Sequence, residues 1–139
     1  MDAIQLKYDA KDWEDAVRTC GELLVKTGCV ESGYVDGMVE TVKTLGPYIV
    51  IAPGLAMPHA KRTAGVVKSG ISVLTLKSPI SFGNADNDPV YMLIGLAGTN
   101  DDLHLDILSA ISDIFEDESR VYEIAKWDDK GKVAEVFNY

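Results

Sequence analysis

The stretch PVYMLIGLAGTNDDLHLDILSAISDIF, residues 89–115, decides the fold that this chain is expected to adopt. Its first part, 89–98, is apolar at nearly every position, which is typical of a central β-strand covered on both faces. A helix is predicted to follow at once, because Thr99 or Asn100 is a suitable N-cap and two aspartates come next, where a helix dipole favours negative charge. A buried strand that runs directly into a helix indicates an α/β protein.

The helix that follows this strand carries an apolar stripe at helical spacing, which we expect to be buried. The stripe consists of Leu103, Ile107, Leu108, Ile111, Ile114 and Phe115. Two longer helices are predicted upstream, one over 13–28 and one over 31–45, and both have an apolar face. Two shorter helical segments are expected around 118–126 and 130–137.

Three further stretches are predicted to form strands. AIQLK at 3–7 alternates weakly, YIVIA at 48–52 is a β-branched run expected to be buried, and GISVLTL at 70–76 is closed by Ser78-Pro79. A turn-rich connection leads from the last of these to the central strand. The order of helices, strands and helices therefore predicts a layered α/β domain.

The length and composition are those of one globular domain. The chain has 139 residues, of which 47% are hydrophobic and 25% charged, which is enough to bury a core. We find no repeats or linkers and expect a single domain over residues 1–139. The net charge of −9 argues against nucleic-acid binding, because phosphate backbones repel an acidic chain. An acidic surface favours solubility, or encounter with a basic protein partner.

The sequence also bears on the compartment. The first residues lack the basic-then-apolar pattern of a signal peptide. The apolar-rich run at 90–98 falls far short of the roughly 20 residues that cross a bilayer. We therefore expect a cytoplasmic protein with no direct membrane insertion. Cys20 and Cys29 are in no metal or redox spacing, and they are expected to be buried or incidental thiols.

His59 is the first candidate for chemistry. It lies in IAPGLAMPHAKR, residues 51–62, directly after Met57-Pro58 and before two cations. Neutral imidazole attacks phosphorus readily, and a reference pKa of about 6.5 leaves an imidazole mostly neutral near pH 7. Pro58 fixes the local φ angle and Gly54 permits an unusual turn, so this loop is suited to holding the ring in place. The alternative is a surface or core-edge histidine bonded to the backbone.

His104 is the second candidate, because it falls in the first turns of the helix after the central strand. Backbone N–H groups at a helix N-terminus favour anions, so a histidine there is placed to hydrogen-bond a phosphate. Binding sites in open α/β sheets gather at the carboxyl ends of strands, and both histidines are expected to converge there. The alternative is a core-edge histidine, since His104 shares a face with Ile107, Leu108 and Ile111.

Other chemical motifs are missing or incomplete. GLAGTN lacks the lysine of a P-loop, so ATP binding by such a loop is unsupported, and no G-x-S-x-G elbow occurs. The two histidines and nearby aspartates offer zinc ligands, but no H-E-x-x-H or equivalent spacing appears. We therefore expect neither a metal nor a cofactor.

Four segments together carry a family likeness: GPYIVIAPGLAMPHA, SGISVLTLKSPISFGN, PVYMLIGLAGTNDDLHLDILSAIS and DESRVYEIAK. They resemble the enzyme IIA domains of the bacterial sugar phosphotransferase system (PTS), of the mannitol/fructose class and, more narrowly, its ascorbate-specific branch. The likeness extends from the helix at Trp13 to about residue 137. Its distinctive parts are the PH loop, the SFG turn and the histidine early in the helix after LIGLA, which places His59 and His104 45 positions apart.

The resemblance implies a fold and a function. The fold is a three-layer α/β/α sandwich, whose mixed, mostly buried sheet is flanked by helices on both faces. The function is that of a phosphotransferase component: His59 accepts a phosphoryl group from the histidine phosphocarrier protein HPr and passes it to a cysteine of the cognate enzyme IIB. A separate membrane enzyme IIC then takes up the sugar, which the ascorbate-like branch suggests is ascorbate. His104 matches the second histidine of the family, which hydrogen-bonds the ring or the phosphate.

One position departs from the family pattern. In mannitol-type members an arginine on the helix before the PH loop supports the phosphate, and here Thr41 stands at the matching place. Lys43, Lys61 and Arg62 are the candidates to replace that cation. This difference favours the ascorbate-like branch over the mannitol one.

Two other functions remain open from the sequence. A regulatory module of the same fold, whose phosphorylation state controls another protein, would use His59 equally. A small metallohydrolase would use both histidines with nearby aspartates as zinc ligands.

Overall fold

The centre of the protein is a five-stranded mixed sheet, seen in a computed structural model that describes residues 2–137. Its strands are β1 (Ile4–Tyr8), β2 (Val50–Ala52), β3 (Leu55–Ala56), β4 (Gly70–Ile80) and β5 (Val90–Ala97). They lie in the order β1-β4-β5-β3-β2. The β1–β4 and β3–β5 pairs are parallel, whereas β4–β5 and β2–β3 are antiparallel. The mixed sheet expected from the resemblance is confirmed.

Helices cover both faces of this sheet. They are α1 (Trp13–Lys26), α2 (Gly33–Leu45), α3 (Asp101–Ile114), α4 (Ser119–Ala125) and α5 (Lys130–Val136). Helices α1 and α2 contribute to the core on one face, and α3, α4 and α5 to the core on the other. The three-layer α/β/α arrangement is confirmed. None of the helices described between residues 2 and 137 is long and apolar enough to cross a bilayer.

Strand β5 explains why both faces are covered. Successive side chains of a strand point to opposite sides of the sheet. Leu93 and Ala97 enter the core beneath α1 and α2, while Met92, Ile94 and Leu96 enter the core beneath the other helices, and all five are buried. Burying a large aliphatic side chain stabilises the fold by roughly 1.5–3 kcal/mol. The prediction of a central strand with two apolar faces is confirmed.

Helix α3 begins as predicted but turns a different side to the core. Asn100 is the N-cap, and its side-chain oxygen accepts a hydrogen bond from the Leu103 amide at 2.9 Å. The expectation that Leu103 is buried is wrong, because its side chain is 40% exposed. In this first turn His104 faces the sheet instead: a Cβ added at Gly98 would come within 3.2 Å of the His104 Cβ atom. Of the predicted stripe, Ile111 and Phe115 are fully buried and the remaining three are half-buried.

Two strand predictions need correction. The segment at 48–52 begins with a 3₁₀ turn, and β2 is an edge strand with Ile51 48% exposed, so it is not a buried strand. Strand β4 continues through Pro79 to Ile80 and does not end at Ser78-Pro79. The pairing with β5 is irregular between Thr75 and Ile80, so the missing N–H of Pro79 interrupts no regular ladder. The two-residue strand β3 was not predicted, because it is too short to show a period.

The two cysteines are buried and unpaired, as expected. Complete burial raises the pKa of the Cys20 thiol to about 12, although a hydrogen bond with Ser72 lowers it somewhat. The sulfur lies 3.3 Å from the Ser72 hydroxyl oxygen. A thiol in this setting is not ionised near neutral pH, so Cys20 is inert as a nucleophile.

The SFG turn between β4 and β5 is organised by the Asp88 carboxylate. It accepts hydrogen bonds from the Ser81 hydroxyl and from the backbone N–H groups of Phe82, Gly83 and Asn84, at 2.8–3.0 Å. Partial burial would raise the pKa of Asp88, but these four hydrogen bonds hold it below its ordinary value. The same turn places Phe82 in the core, which fixes the path of the chain into β5.

We predict that Asp88→Asn lowers the free energy of unfolding by about 1–2 kcal/mol near pH 7. The asparagine side chain has an NH₂ group in place of one carboxylate oxygen, so backbone N–H groups of the turn lose an acceptor. A carboxyl whose pKa is lowered by folding stabilises the fold above its unfolded pKa, and this contribution disappears as pH falls through the folded pKa. The difference between the two proteins should therefore shrink below pH 3.8, the ordinary value for the group. Urea denaturation over a pH series measures it. Asp86→Asn removes an exposed carboxylate from the same turn and should leave stability unchanged; an equal loss in both variants would contradict the prediction.

Candidate functional site

The parallel pairing of β3 with β5 brings the two histidines together. Leu55 and Ala56 lie opposite Met92 and Leu93, so both strands end at the same edge of the sheet. His59 follows the end of β3, and His104 lies in the first turns of α3, which follows the end of β5. The two ring centroids are 5.8 Å apart, with a T-shaped orientation and an interplanar angle of 71°. The predicted convergence at this edge is therefore present in the structure.

The His59 ring is held by one of its nitrogens. Its Nδ1 atom lies 3.0 Å from the Met57 carbonyl oxygen. A carbonyl oxygen only accepts hydrogen bonds, so the proton of the neutral ring is on Nδ1 and the lone pair is on Nε2. The ring is half-buried, neither enclosed in the core nor fully open. The arrangement leaves Nε2 as the ring nitrogen with a lone pair that is free to form a bond.

The backbone around His59 is fixed by neighbours from β5 and α2. The Pro58 carbonyl accepts a hydrogen bond from the Leu96 amide at 3.1 Å. The Ala60 amide donates to the Tyr34 hydroxyl at 3.0 Å, and that hydroxyl donates to the Leu96 carbonyl at 2.6 Å. In the sequence, Tyr34 belongs to the apolar face of the helix predicted over 31–45. No local pattern pointed to its hydroxyl, because its partners lie 26 and 62 positions away.

His104 sits in an environment that keeps it neutral. Desolvation by burial is the largest influence that lowers its pKa, and the neighbouring His59 and Arg62 lower it further. Asp101 acts in the opposite direction but does not outweigh them. Because the pKa lies below the ordinary value of 6.5, the ring is uncharged near pH 7.

The three candidate cations lie in different places. The Arg62 guanidinium donates to the Asp101 carboxylate at the start of α3, and both residues line a cavity of about 390 Å³ together with His104. Lys61 lines this cavity and also a larger one beside His59. Lys43 lines neither, and its ammonium nitrogen lies 3.6 Å from a carboxylate oxygen of Glu14 on α1. The structure therefore brings Lys61 and Arg62, but not Lys43, to the histidine edge.

Thr41 lines the larger cavity, which has a volume of about 560 Å³ and is also lined by His59 and Glu40. Its hydroxyl donates to the Gly37 carbonyl at 2.8 Å, within its own helix. Gly37 allows this helix to approach the histidine loop closely, since an added Cβ would come within 3.1 Å of the Ala60 Cβ atom. The position that the resemblance assigns to an arginine thus lines the same cavity as His59 but carries no charge.

The arrangement is suited to handling an anionic group. It combines two imidazoles with the N-terminus of α3 and the Arg62 guanidinium. Backbone N–H groups at a helix N-terminus and a guanidinium both stabilise negative charge. Within residues 2–137, no group of three or more His, Cys, Asp or Glu side chains is placed to hold a metal ion.

Comparison with known proteins gives a consistent result. The model of the family "Phosphoenolpyruvate-dependent sugar phosphotransferase system, EIIA 2" matches residues 1–139. The ascorbate-specific PTS system EIIA component of Escherichia coli (strain K12) is 43% identical over 117 residues, which cover 84% of this chain and 76% of that protein.

Solved structures of the same kind superpose on most of the chain. A putative PTS IIA protein from Streptococcus mutans has a TM-score of 0.87 at 31% identity and covers 96% of this chain and 85% of its own. Enzyme IIAMTL from Escherichia coli, solved in complex with phosphorylated enzyme IIBMTL, has a TM-score of 0.85 at 29% identity and covers 97% of this chain and 93% of its own.

We predict that NMR titration of the ring protons finds the pKa of His104 below 6.5, and that His59→Gln raises it, because the substitution removes one of the neighbouring groups that lower it. Lys43→Gln removes a cation that does not reach the site and serves as the control. An unchanged pKa in His59→Gln, or an equal rise in both variants, would contradict the electrostatic coupling of the two rings.

Proposed function

The chain belongs to the EIIA 2 family of the phosphoenolpyruvate-dependent sugar phosphotransferase system, and from this premise we propose that it carries a phosphoryl group between two proteins on His59. The observation that supports this most directly is the pair of imidazoles at the sheet edge, one of which has its Nδ1 atom bonded to the Met57 carbonyl. The chain is a component of a phosphotransferase system; the phosphohistidine mechanism is our proposal.

The transfer steps balance without an added reactant. The Nε2 lone pair of His59 attacks the phosphorus of phosphorylated HPr, a P–N bond forms, and the P–N bond to the histidine of HPr breaks with its electrons returning to that nitrogen. In the second step a thiolate of the cognate enzyme IIB forms a P–S bond, and His59 recovers its lone pair. The proton stays on Nδ1 throughout, where it is donated to the Met57 carbonyl, so the ring needs no proton exchange.

His104 assists without becoming phosphorylated in this proposal. A ring that is neutral near pH 7 still has one N–H group to donate, and the 5.8 Å between the centroids leaves room for a phosphoryl group on the first ring to contact the second. Arg62 and Lys61 are the cations that we assign to balance the phosphoryl charge, since both line the cavity that contains His104.

The relatives support the partners and the sugar that we propose. The complex of enzyme IIAMTL with phosphorylated enzyme IIBMTL supports a cognate enzyme IIB as the acceptor. The ascorbate-specific relatives support ascorbate as the sugar, taken up through a membrane enzyme IIC. HPr as donor and the cytoplasm as compartment complete the proposal.

His59→Gln is expected to abolish phosphate uptake, because no nucleophile remains at the site. The protein is incubated with phosphoenolpyruvate, enzyme I and HPr, and mass spectrometry tests for a gain of about 80 Da on His59, one phosphoryl group. His104→Gln is the matched variant: it should still be labelled, but should pass phosphate to enzyme IIB more slowly. Full labelling of His59→Gln would end the carrier proposal, and normal onward transfer by His104→Gln would remove the assisting role.

Arg62→Gln is expected to slow phosphoryl transfer from HPr by about ten-fold, because one of two nearby cations is lost while the other remains. Lys43→Gln is the control, because it also removes one positive charge but does so beside Glu14 on α1, away from the histidines. We expect this variant to accept phosphate at the rate of the unmodified protein. The measurement is the initial rate of labelling at limiting HPr. Equal rates for the two variants would mean that Arg62 does not support the phosphate.

A further inference from the structure

Tyr34 carries a buried hydroxyl that the transfer steps do not use. Its side chain is 1% exposed, and its ring packs in the core between α1, α2 and the sheet. The hydroxyl accepts a hydrogen bond from the Ala60 amide at 3.0 Å and donates one to the Leu96 carbonyl at 2.6 Å. A phenylalanine would fill the same apolar space, so packing alone does not require this oxygen.

The two partners of the hydroxyl matter because of where they stand relative to His59. The peptide group before His59 contains the Pro58 carbonyl, which accepts directly from the Leu96 amide. The peptide group after His59 contains the Ala60 amide, which reaches the Leu96 carbonyl only through the Tyr34 hydroxyl. Both peptide groups that flank His59 are therefore connected by hydrogen bonds to Leu96, near the end of β5, one directly and one through the Tyr34 hydroxyl.

The same strand end also sets the position of the second imidazole. Leu96 is followed by Ala97 and Gly98, and the His104 backbone packs against Gly98. The end of β5 thus contacts the backbone beside both histidines, and the Tyr34 hydroxyl makes one of the two hydrogen-bonded connections on the His59 side. Without it, the Ala60 amide loses its acceptor and the loop is held on one side of His59 only.

We propose that Tyr34 is a positioning residue for phosphoryl transfer, whose hydroxyl holds the His59 loop in register with the end of β5 and so with His104; this rests on the proposed carrier function. A displacement of a reacting group by about 1 Å lowers a rate by as much as 10²-fold. Since one of two attachments remains in Tyr34→Phe, we expect its rate of labelling from phosphorylated HPr to fall by roughly ten-fold, with the KM for HPr unchanged.

The matched control is Tyr8→Phe. Tyr8 also loses a hydroxyl hydrogen bond, to Asp15 at 2.8 Å, but it lies on β1, which β4 and β5 separate from β3. Both variants are compared by thermal denaturation and by labelling rate. In a second measurement, ¹⁵N NMR of the imidazole nitrogens gives the tautomer populations of His59 without any phosphate. Tyr34→Phe should show a mixed population and Tyr8→Phe the single Nδ1–H tautomer of the unmodified protein.

The outcomes separate the positioning role from the carrier function. Slower labelling together with mixed tautomers in Tyr34→Phe alone supports the positioning role. Labelling at the unmodified rate, an equal fall in both variants, or a Tyr34→Phe protein that does not fold would overturn it, the last because the hydroxyl would then serve the fold. If the unmodified protein takes no phosphate on His59, the carrier function fails and the role of Tyr34 in transfer fails with it.

Discussion

The parallel pairing of a two-residue strand with β5 is the constraint on which the site depends. Leu55 and Ala56 pair with the middle of β5, and the hydrogen bond between Pro58 and Leu96 carries this alignment to the residue before His59. Because the two strands run in the same direction, the segments that leave them meet at one edge. The fold therefore fixes the relation of the two histidines through the backbone, before any side chain of the site contributes.

The electrostatics of the site follow from the same geometry. His104 is neutral because it is partly desolvated and close to the His59 ring and the Arg62 guanidinium. Both groups are far from His104 in the sequence and are brought to it by the fold. The Met57 carbonyl sets which nitrogen of His59 is protonated. In the proposed carrier function the two imidazoles position the anion, and Lys61 and Arg62 balance its charge.

The sequence allowed the layers and both histidines to be predicted, because their signals are local. The helical stripes extend over enough residues to show a period, the apolar run of β5 is continuous, and Asn100 is a residue type that favours a helix N-cap. Strand β3 is too short for that, and Pro79 misled because a proline is tolerated where the ladder is irregular. How the helices are rotated against the sheet and against one another decides three features that could not be predicted. These are the exposure of Leu103, the position of Lys43 beside α1 and the hydrogen bonds of the Tyr34 hydroxyl. Such rotation is decided by packing, which a single sequence does not display.

In the proposed function, the ion pair between Arg62 and Asp101 affects how firmly the phosphoryl group on His59 is bound. A guanidinium that already faces a carboxylate offers a newly arrived dianion only part of its attraction, and the two anions also repel each other. In the proposed function, a phosphoryl group on His59 therefore competes with Asp101 for the Arg62 guanidinium. A protein that passes a phosphoryl group on must bind it weakly enough to release it. In the proposed function, Asp101 lowers the affinity of Arg62 for that group.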